Sequence, residues 1–180
     1  MSAPAPQEKI GTLSALSIGI GGMVGGGIFD AQTTARTMGS LIPRGVHWIK
    51  AAVAAQDVAI GEGNIILFHT GWTEGKLEID PKAWVSGEPG LNVNGSRYLA
   101  SLDVMAVGAD TWGVEPVPPA KGDGAFYGHV VLLQENGIYI LETMNTGPLV
   151  RDGVTEFMFV LGQARIRGTV QMIINPVAMW

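Results

Sequence analysis

Cysteine is absent from this chain. That excludes disulfides, thiolate metal sites and a cysteine nucleophile, and says little about compartment. Charge is scarce as well: 15% of residues are charged, against about a quarter in an average soluble protein. Histidine is scarcer still. The three imidazoles are His47, His69 and His129, so a site built from three or four histidines would consume them all. A net charge of -5 leaves no basic footprint for nucleic acid, and no nucleic-acid partner is expected.

What is plentiful is glycine, with 26 residues in a chain of 180. That length suits one domain with a substantial core. Pro4 and Pro6 mark a loose start. From Ile10 to Phe29 no charge occurs, a length close to the roughly 20 residues of a bilayer span. The glycines at 19, 21, 22, 25, 26 and 27 oppose a helix, each by about 1 kcal/mol, although Gly21/Gly25 and Gly22/Gly26 have the close-packing spacing of membrane helices. Three readings stay open: a membrane-buried segment, a phosphate-cradling loop around Gly19-Ile20-Gly21, and an apolar segment that packs on the domain or is poorly ordered. Residues 11–29 resemble the first membrane helix of amino acid permeases. No second span of that length follows, so transport is not implied.

Two regions are therefore expected: a glycine-rich segment over 1–45 and an α/β domain over 46–180. In the second, Ile49–Ala55 reads as a helix and Ile65–Thr70 as a strand covered on both faces. Leu77–Gly90 reads as loop, broken by Pro81 and Pro89. A short helix starts near Asn94, taken as its N-cap. Val104–Asp110 reads as a second buried strand, and Trp112–Gly124 as a Pro/Gly loop. A helix through His129 stops at Asn136-Gly137 and is followed by a strand ending at Glu142. Strands over Glu156–Leu161 and Val170–Ile174 close the chain. Together these predict a mixed sheet of at least five strands with flanking helices.

The chemistry centres on His129 and Glu142. A helix followed at once by a strand can bring the two side chains together, and an imidazole beside a carboxylate suits a divalent cation such as zinc or manganese. Read from the residues alone, His129 is equally a packed core histidine and Glu142 a solvated carboxylate. Asp110 and Glu115 flank Trp112 after a buried strand, where sites collect but where turn-capping acids are also common. His69 lies at a strand end beside Trp72; it either lines a pocket or is a hydrogen-bonded structural residue. Trp72 and Trp112 either stack on an aromatic substrate or fill the core. His47 reads as a helix-start residue. No residue is singled out as catalytic.

The run Asn64–Trp72, then Glu88-Pro89-Gly90-Leu91, then Val107–Glu115, then His129 through Glu142 resemble, in order and spacing, the cyclase family of kynurenine formamidase-like and isatin hydrolase-like metal-dependent hydrolases, over about 46–180. The resemblance implies a swivelling β/β/α fold, a zinc or manganese ion and hydrolysis of a small amide, lactam or formamide. It also implies metal ligation by His129 and Glu142, with Trp72, His69, Asp110 and Trp112 lining the substrate pocket. The family's upstream His-x-Gly-Thr-His-x-Asp motif has no counterpart here, so the N-terminal part is expected to be truncated or replaced and activity to be lost or completed elsewhere. A homo-oligomer in the cytoplasm is implied. The rival readings are a non-catalytic domain that keeps only the fold, and a domain associated with a membrane through residues 10–29.

Overall fold

Every residue of Ile65–His69 is buried, because an uninterrupted apolar strand is stable only with cover on both faces. The rest of the architecture supplies that cover. The computed structural model describes residues 24–30 and 43–180; for 24–30, Pro43 and Arg44 the description is of the backbone alone. In chain order the strands are β1 (Val24–Asp30), β2 (Pro43–Arg44), β3 (Ile65–His69), β4 (Gly90–Leu91), β5 (Ala106–Ala109), β6 (Tyr139–Leu141), β7 (Glu156–Val160) and β8 (Val177–Met179). Six of them form one sheet in the order β6-β5-β3-β1-β7-β8, and β2 with β4 forms a small parallel ladder. The strands β1, β3, β5 and β6 run parallel, whereas β7 and β8 join antiparallel.

Alternation along β3 divides the core into two. Ile66 and Phe68 face Ile49, Leu99 and Leu132, which belong to helix α1 (Val46–Gln56), helix α4 (Val93–Ser101) and the helical turn after His129. Ile65 and Leu67 face Leu141, Leu149, Phe157 and Phe159. Helix α1 has no side-chain cap. Burial of Ile49 contributes about 2 kcal/mol, more than the roughly 1 kcal/mol of a cap, so packing rather than capping holds it. Two short helices, α2 (Trp72–Lys76) and α3 (Pro81–Ser86), fill the segment after β3.

Several expectations are corrected. The end of the uncharged N-terminal run, Val24–Asp30, is a strand that pairs with Ile65–His69 in the middle of the sheet. This part is therefore a strand and not a membrane helix. Glycine weakens helix and strand interiors alike, so its abundance does not by itself decide between them. Residues 10–23, the remainder of the permease-like stretch, lie outside the described residues. Among the described residues no helix is long and apolar enough to cross a membrane. Leu77–Gly90 contains α3 because Pro81 opens a helix rather than breaking one: it takes the first helical position, with Asp80 Oδ1 accepting the Ala83 N–H at 3.0 Å. The cap of α4 is Asn92, whose side chain accepts from the Gly95 N–H at 2.9 Å, and Asn94 lies inside the helix. Val170–Ile174 is not a strand. The sheet closes with β8 instead, and Val170 and Ile173 are fully exposed, at 97% and 101%.

One contact in this scaffold governs the site. A Cβ on Gly90 would stand 2.2 Å from the carbonyl carbon of Glu115 and 2.5 Å from the Val114 carbonyl oxygen, so the β4 backbone and the loop bearing Glu115 press together at a distance only glycine allows. Gly90→Ala is expected to cost about 2 kcal/mol or more through overpacking, measured as a lower urea midpoint; an unchanged midpoint would show that this contact is not constraining.

Candidate metal centre

Parallel pairing brings the ends of β3, β5 and β6 to one edge of the sheet. Their registers are Phe68 with Ala109 and Gly108 with Leu141, so His69, Asp110 and Glu142 emerge on the same side, the side where open α/β sheets carry sites. The helix that supplies His129, α5 (Tyr127–His129), continues as a π-helical turn over Val130–Glu135. It ends at Asn136 and Gly137, the latter at φ 66°, and the chain returns directly into β6.

His129 and Glu142 meet: His129 Nε2 is 3.2 Å from Glu142 Oε1. The other ring nitrogen is held more tightly, with Nδ1 2.5 Å from Glu115 Oε1. The Glu115 carboxylate also accepts the backbone N–H of Gly128 at 2.9 Å and of His129 at 2.6 Å. These are among the N–H groups that a helix start leaves without intrahelical partners. One buried carboxylate thus caps the helix and orients the imidazole it carries. Gly128 makes room for this, because a Cβ there would lie 2.7 Å from the Glu115 carboxyl carbon. The hydrogen bonds from Glu115 first and Glu142 second push the His129 pKa up to about 9, against burial acting downward. In the metal-free protein at neutral pH both ring N–H groups donate, one to each carboxylate.

A second carboxylate lies deeper. Glu88 is 0% exposed, and its Oε2 accepts the Trp112 N–H at 2.7 Å. Its Oε1 has no hydrogen-bond partner among the described residues. Burial raises its pKa to about 8, further helped by the charges of Glu142 and Asp110 and opposed by the backbone N–H groups of Trp112 and Gly113. Glu88 is therefore mostly a neutral acid at pH 7, and it braces the loop that leads to Glu115.

The remaining sequence candidates take other places. His69 is buried, and its Nδ1 is 2.9 Å from Thr146 Oγ1. Asp110 Oδ1 accepts from the backbone N–H and hydroxyl of Thr70 at 2.7 and 2.8 Å, and the Thr73 hydroxyl donates to the Asp110 carbonyl. Trp72 is buried, and the indole N–H groups of Trp72 and Trp112 converge on the Trp84 carbonyl at 3.4 and 3.0 Å. Trp112 approaches the imidazole through Phe126, whose ring centroid is 6.4 Å from Trp112 and 5.5 Å from His129, edge-on to the latter. The sequence places Glu115 beside Trp112 but not beside His129, offers Glu88 only as part of a family-like motif with no site role, and gives no signal for Phe126. A loop of irregular backbone separates 115 from 129, and no spacing rule spans it.

Does this set fit a divalent cation? Two donors each about 2.1 Å from one metal stand about 3.0–3.4 Å apart, and the 3.2 Å between Nε2 and Oε1 lies in that window. A carboxylate on the far ring nitrogen is the usual support of a metal-bound histidine. The donor count is short: among the described residues no group of three or more His, Cys, Asp or Glu is placed to hold a metal, and a catalytic zinc takes about three protein ligands. The pair is suited to be part of a metal shell and does not complete one.

Residues 25–116 match the model of the cyclase family. Among solved structures the chain is similar to a novel cyclase (TM-score 0.75, 22% identity, 87% of this chain and 52% of that one). It is also similar to an isatin hydrolase bound to the product analogue thioisatinate (TM-score 0.66, 19% identity, 87% and 59%). A third is a potential metal-dependent hydrolase with cyclase activity (TM-score 0.55, 19% identity, 82% and 60%). The chain thus spans between 52% and 60% of the length of these structures, and at these identities the likeness is one of fold. No curated protein matches it.

Glu115→Ala removes the largest cause of the raised His129 pKa, so an NMR titration is expected to bring that value down from about 9 towards the ordinary 6.5; a value still near 9 would show that Glu115 is not the controlling partner. Glu88 gives a pH signature. Its folded pKa, about 8, exceeds the ordinary 4.5, so its contribution to stability is fully present below pH 4.5 and lost as pH rises towards 8. Glu88→Gln, which cannot ionise, should flatten this part of the pH dependence of Tm; parallel profiles for both proteins would contradict the assignment.

Proposed function

The chain belongs to the cyclase family, and from that membership and the geometry around His129 we propose that it provides one wall of a divalent-metal site in a hydrolase acting on a carbon–nitrogen bond of a small amide, lactam or formamide. The observation that carries the reading is the arrangement Glu115–His129–Glu142. A lone core histidine has no need of a carboxylate on each ring nitrogen, whereas a metal-binding histidine uses one to fix its ring and a second as its fellow donor.

In this reading His129 Nε2 and Glu142 would hold zinc or manganese. When bound, such an ion polarises a carbonyl oxygen and lowers the pKa of a water molecule towards neutrality. The rest falls to the chain. Glu115 keeps the Nδ1 proton in place and so presents the Nε2 lone pair outward. The Nε2 proton would have to leave for an ion to be held there, so binding would release a proton. Glu88, neutral and without charge to neutralise, supports the Trp112 backbone without adding a further anion. Phe126 packs at right angles to the imidazole ring.

The donor shortfall has a consequence. His47 is exposed on α1, and His69 is engaged with Thr146, so this reading requires donors beyond His129 and Glu142. A homo-oligomer that lends a donor across an interface would meet the requirement. A small-molecule substrate and a cytoplasmic setting belong to the same proposal. The shortfall is also what favours a second reading, a domain that keeps the fold without the reaction.

Metal titration calorimetry with zinc and with manganese, followed by assays on isatin and on an N-formyl arylamine, separates the two. The hydrolase reading expects stoichiometric binding that weakens about 10-fold or more in His129→Ala and in Glu142→Gln, with turnover in the loaded wild type. A folded protein that binds neither ion, or binds one equally well after both substitutions, would leave only the non-catalytic domain.

A further inference from the structure

Glu142 has a second neighbourhood. A cavity of about 1240 Å³ lies between edge strand β6 and residues 161–174 of the irregular segment that joins β7 to β8. Leu141, Glu142 and Thr143 bound it on one side, and Arg165, Arg167 and Gln171 on the other. The same carboxylate that meets His129 Nε2 therefore borders a space large enough for a small organic molecule.

Two guanidinium groups face this space. Among the described residues Arg97 pairs with Glu135 and Arg151 with Glu74, and Lys50 and Lys76 lie over the rings of Tyr98 and Trp72. Arg165 and Arg167 are exposed, and neither forms an ion pair with a described carboxylate, even though Glu142 bounds the same cavity. Of the acids at the sheet edge, Glu142 bounds the same space. An anion entering there meets that acid, and two guanidinium groups on the opposite wall offset it. The planar guanidinium matches a carboxylate in a paired, two-point geometry that a lysine cannot reproduce, while the exposed Ile166 and Ile173, which also line the space, offer apolar surface for a hydrocarbon body.

We infer that this cavity is a subsite for a carboxylate-bearing small molecule, held by Arg165 and Arg167. The inference deepens the hydrolase reading and rests on it for its purpose. When water cleaves an amide, its oxygen bonds to the carbonyl carbon as the carbon–nitrogen bond breaks. The nitrogen takes up a proton, and the acid that forms ionises. The product is thus a carboxylate released beside Glu142, and the two arginines draw it away from the acids that would repel it. The same pair favours substrates that already carry a carboxylate at their far end.

The test uses the full metal-free chain and needs no turnover. Benzoate and its neutral isostere benzamide are titrated by calorimetry into the wild type and into Arg165→Gln/Arg167→Gln; both positions are exposed, so the variant is expected to keep the wild-type circular dichroism and Tm. The expected result is benzoate binding that falls about 10-fold or more in the double variant, with benzamide at least that much weaker on the wild type. Equal benzoate affinity in both proteins, no benzoate binding to the wild type, or benzamide binding as tightly as benzoate would each overturn the subsite. Failure of the hydrolase reading looks different: a chain that holds benzoate through these arginines yet binds no metal and hydrolyses nothing keeps the anion subsite and loses only its role as a product site. Conversely, turnover accompanied by unchanged benzoate affinity in the double variant removes the subsite and leaves the hydrolase.

Discussion

One carboxylate, that of Glu115, accepts three hydrogen bonds at the start of a helix, two from backbone N–H groups and one from the ring of His129. The candidate metal centre depends on this convergence. An imidazole on a helix ordinarily turns about its side-chain bonds. Here the ring is tied to the same group that caps its own helix, so ring and helix cannot move independently. What remains open to chemistry is the far nitrogen, directed at Glu142. Fixing a ligand in this way reduces the entropy lost on loading and favours one tautomer once Nε2 gives up its proton.

The fold builds this convergence from parts far apart in sequence. Glu142 leaves β6, Glu115 follows β5, and the helix of His129 lies between those two strands in the chain. A parallel sheet places strand ends of the same sense side by side, and the short return through Asn136 and Gly137 sets the helix against β6. The loop after β5 is then pinned from behind: Glu88 accepts the Trp112 N–H, and Gly90 packs against the Glu115 backbone. Each contact is unspectacular alone. Together they leave the Glu115 carboxylate little freedom.

The parts legible in the sequence were those with a local signal. The apolar run Ile65–His69 announced a strand covered on both faces, and Asn136-Gly137 announced the end of the helix that carries His129. The helix-to-strand return made the meeting of His129 and Glu142 a geometric expectation, and the order of motifs made the cyclase family recognisable. What escaped was non-local or ambiguous. Glu115 reaches His129 across an irregular loop for which no periodicity exists. Glu88 matters because it is buried, and burial of an acid cannot be read from its neighbours in sequence. Pro81 read as a breaker because the same residue both ends and opens helices, and only the preceding Asp80 distinguishes the two. The glycine-rich run up to Phe29 left a membrane segment, a phosphate loop and an apolar packed segment all open, because hydropathy without periodicity does not tell a central strand such as Val24–Asp30 from a span. Val170–Ile174 shows the reverse error: an apolar stretch stays exposed and irregular although edge strand β6 lies across the same cavity.

The most direct test of the account is the ring-nitrogen chemical shifts of His129, followed by nitrogen-15 NMR as zinc is added at neutral pH. The account expects both nitrogens to be protonated before addition. After it, Nε2 should move to the metal-bound range, while Nδ1 stays protonated on Glu115. A shift of Nδ1 into the metal-bound range, or no change at either nitrogen, would contradict it.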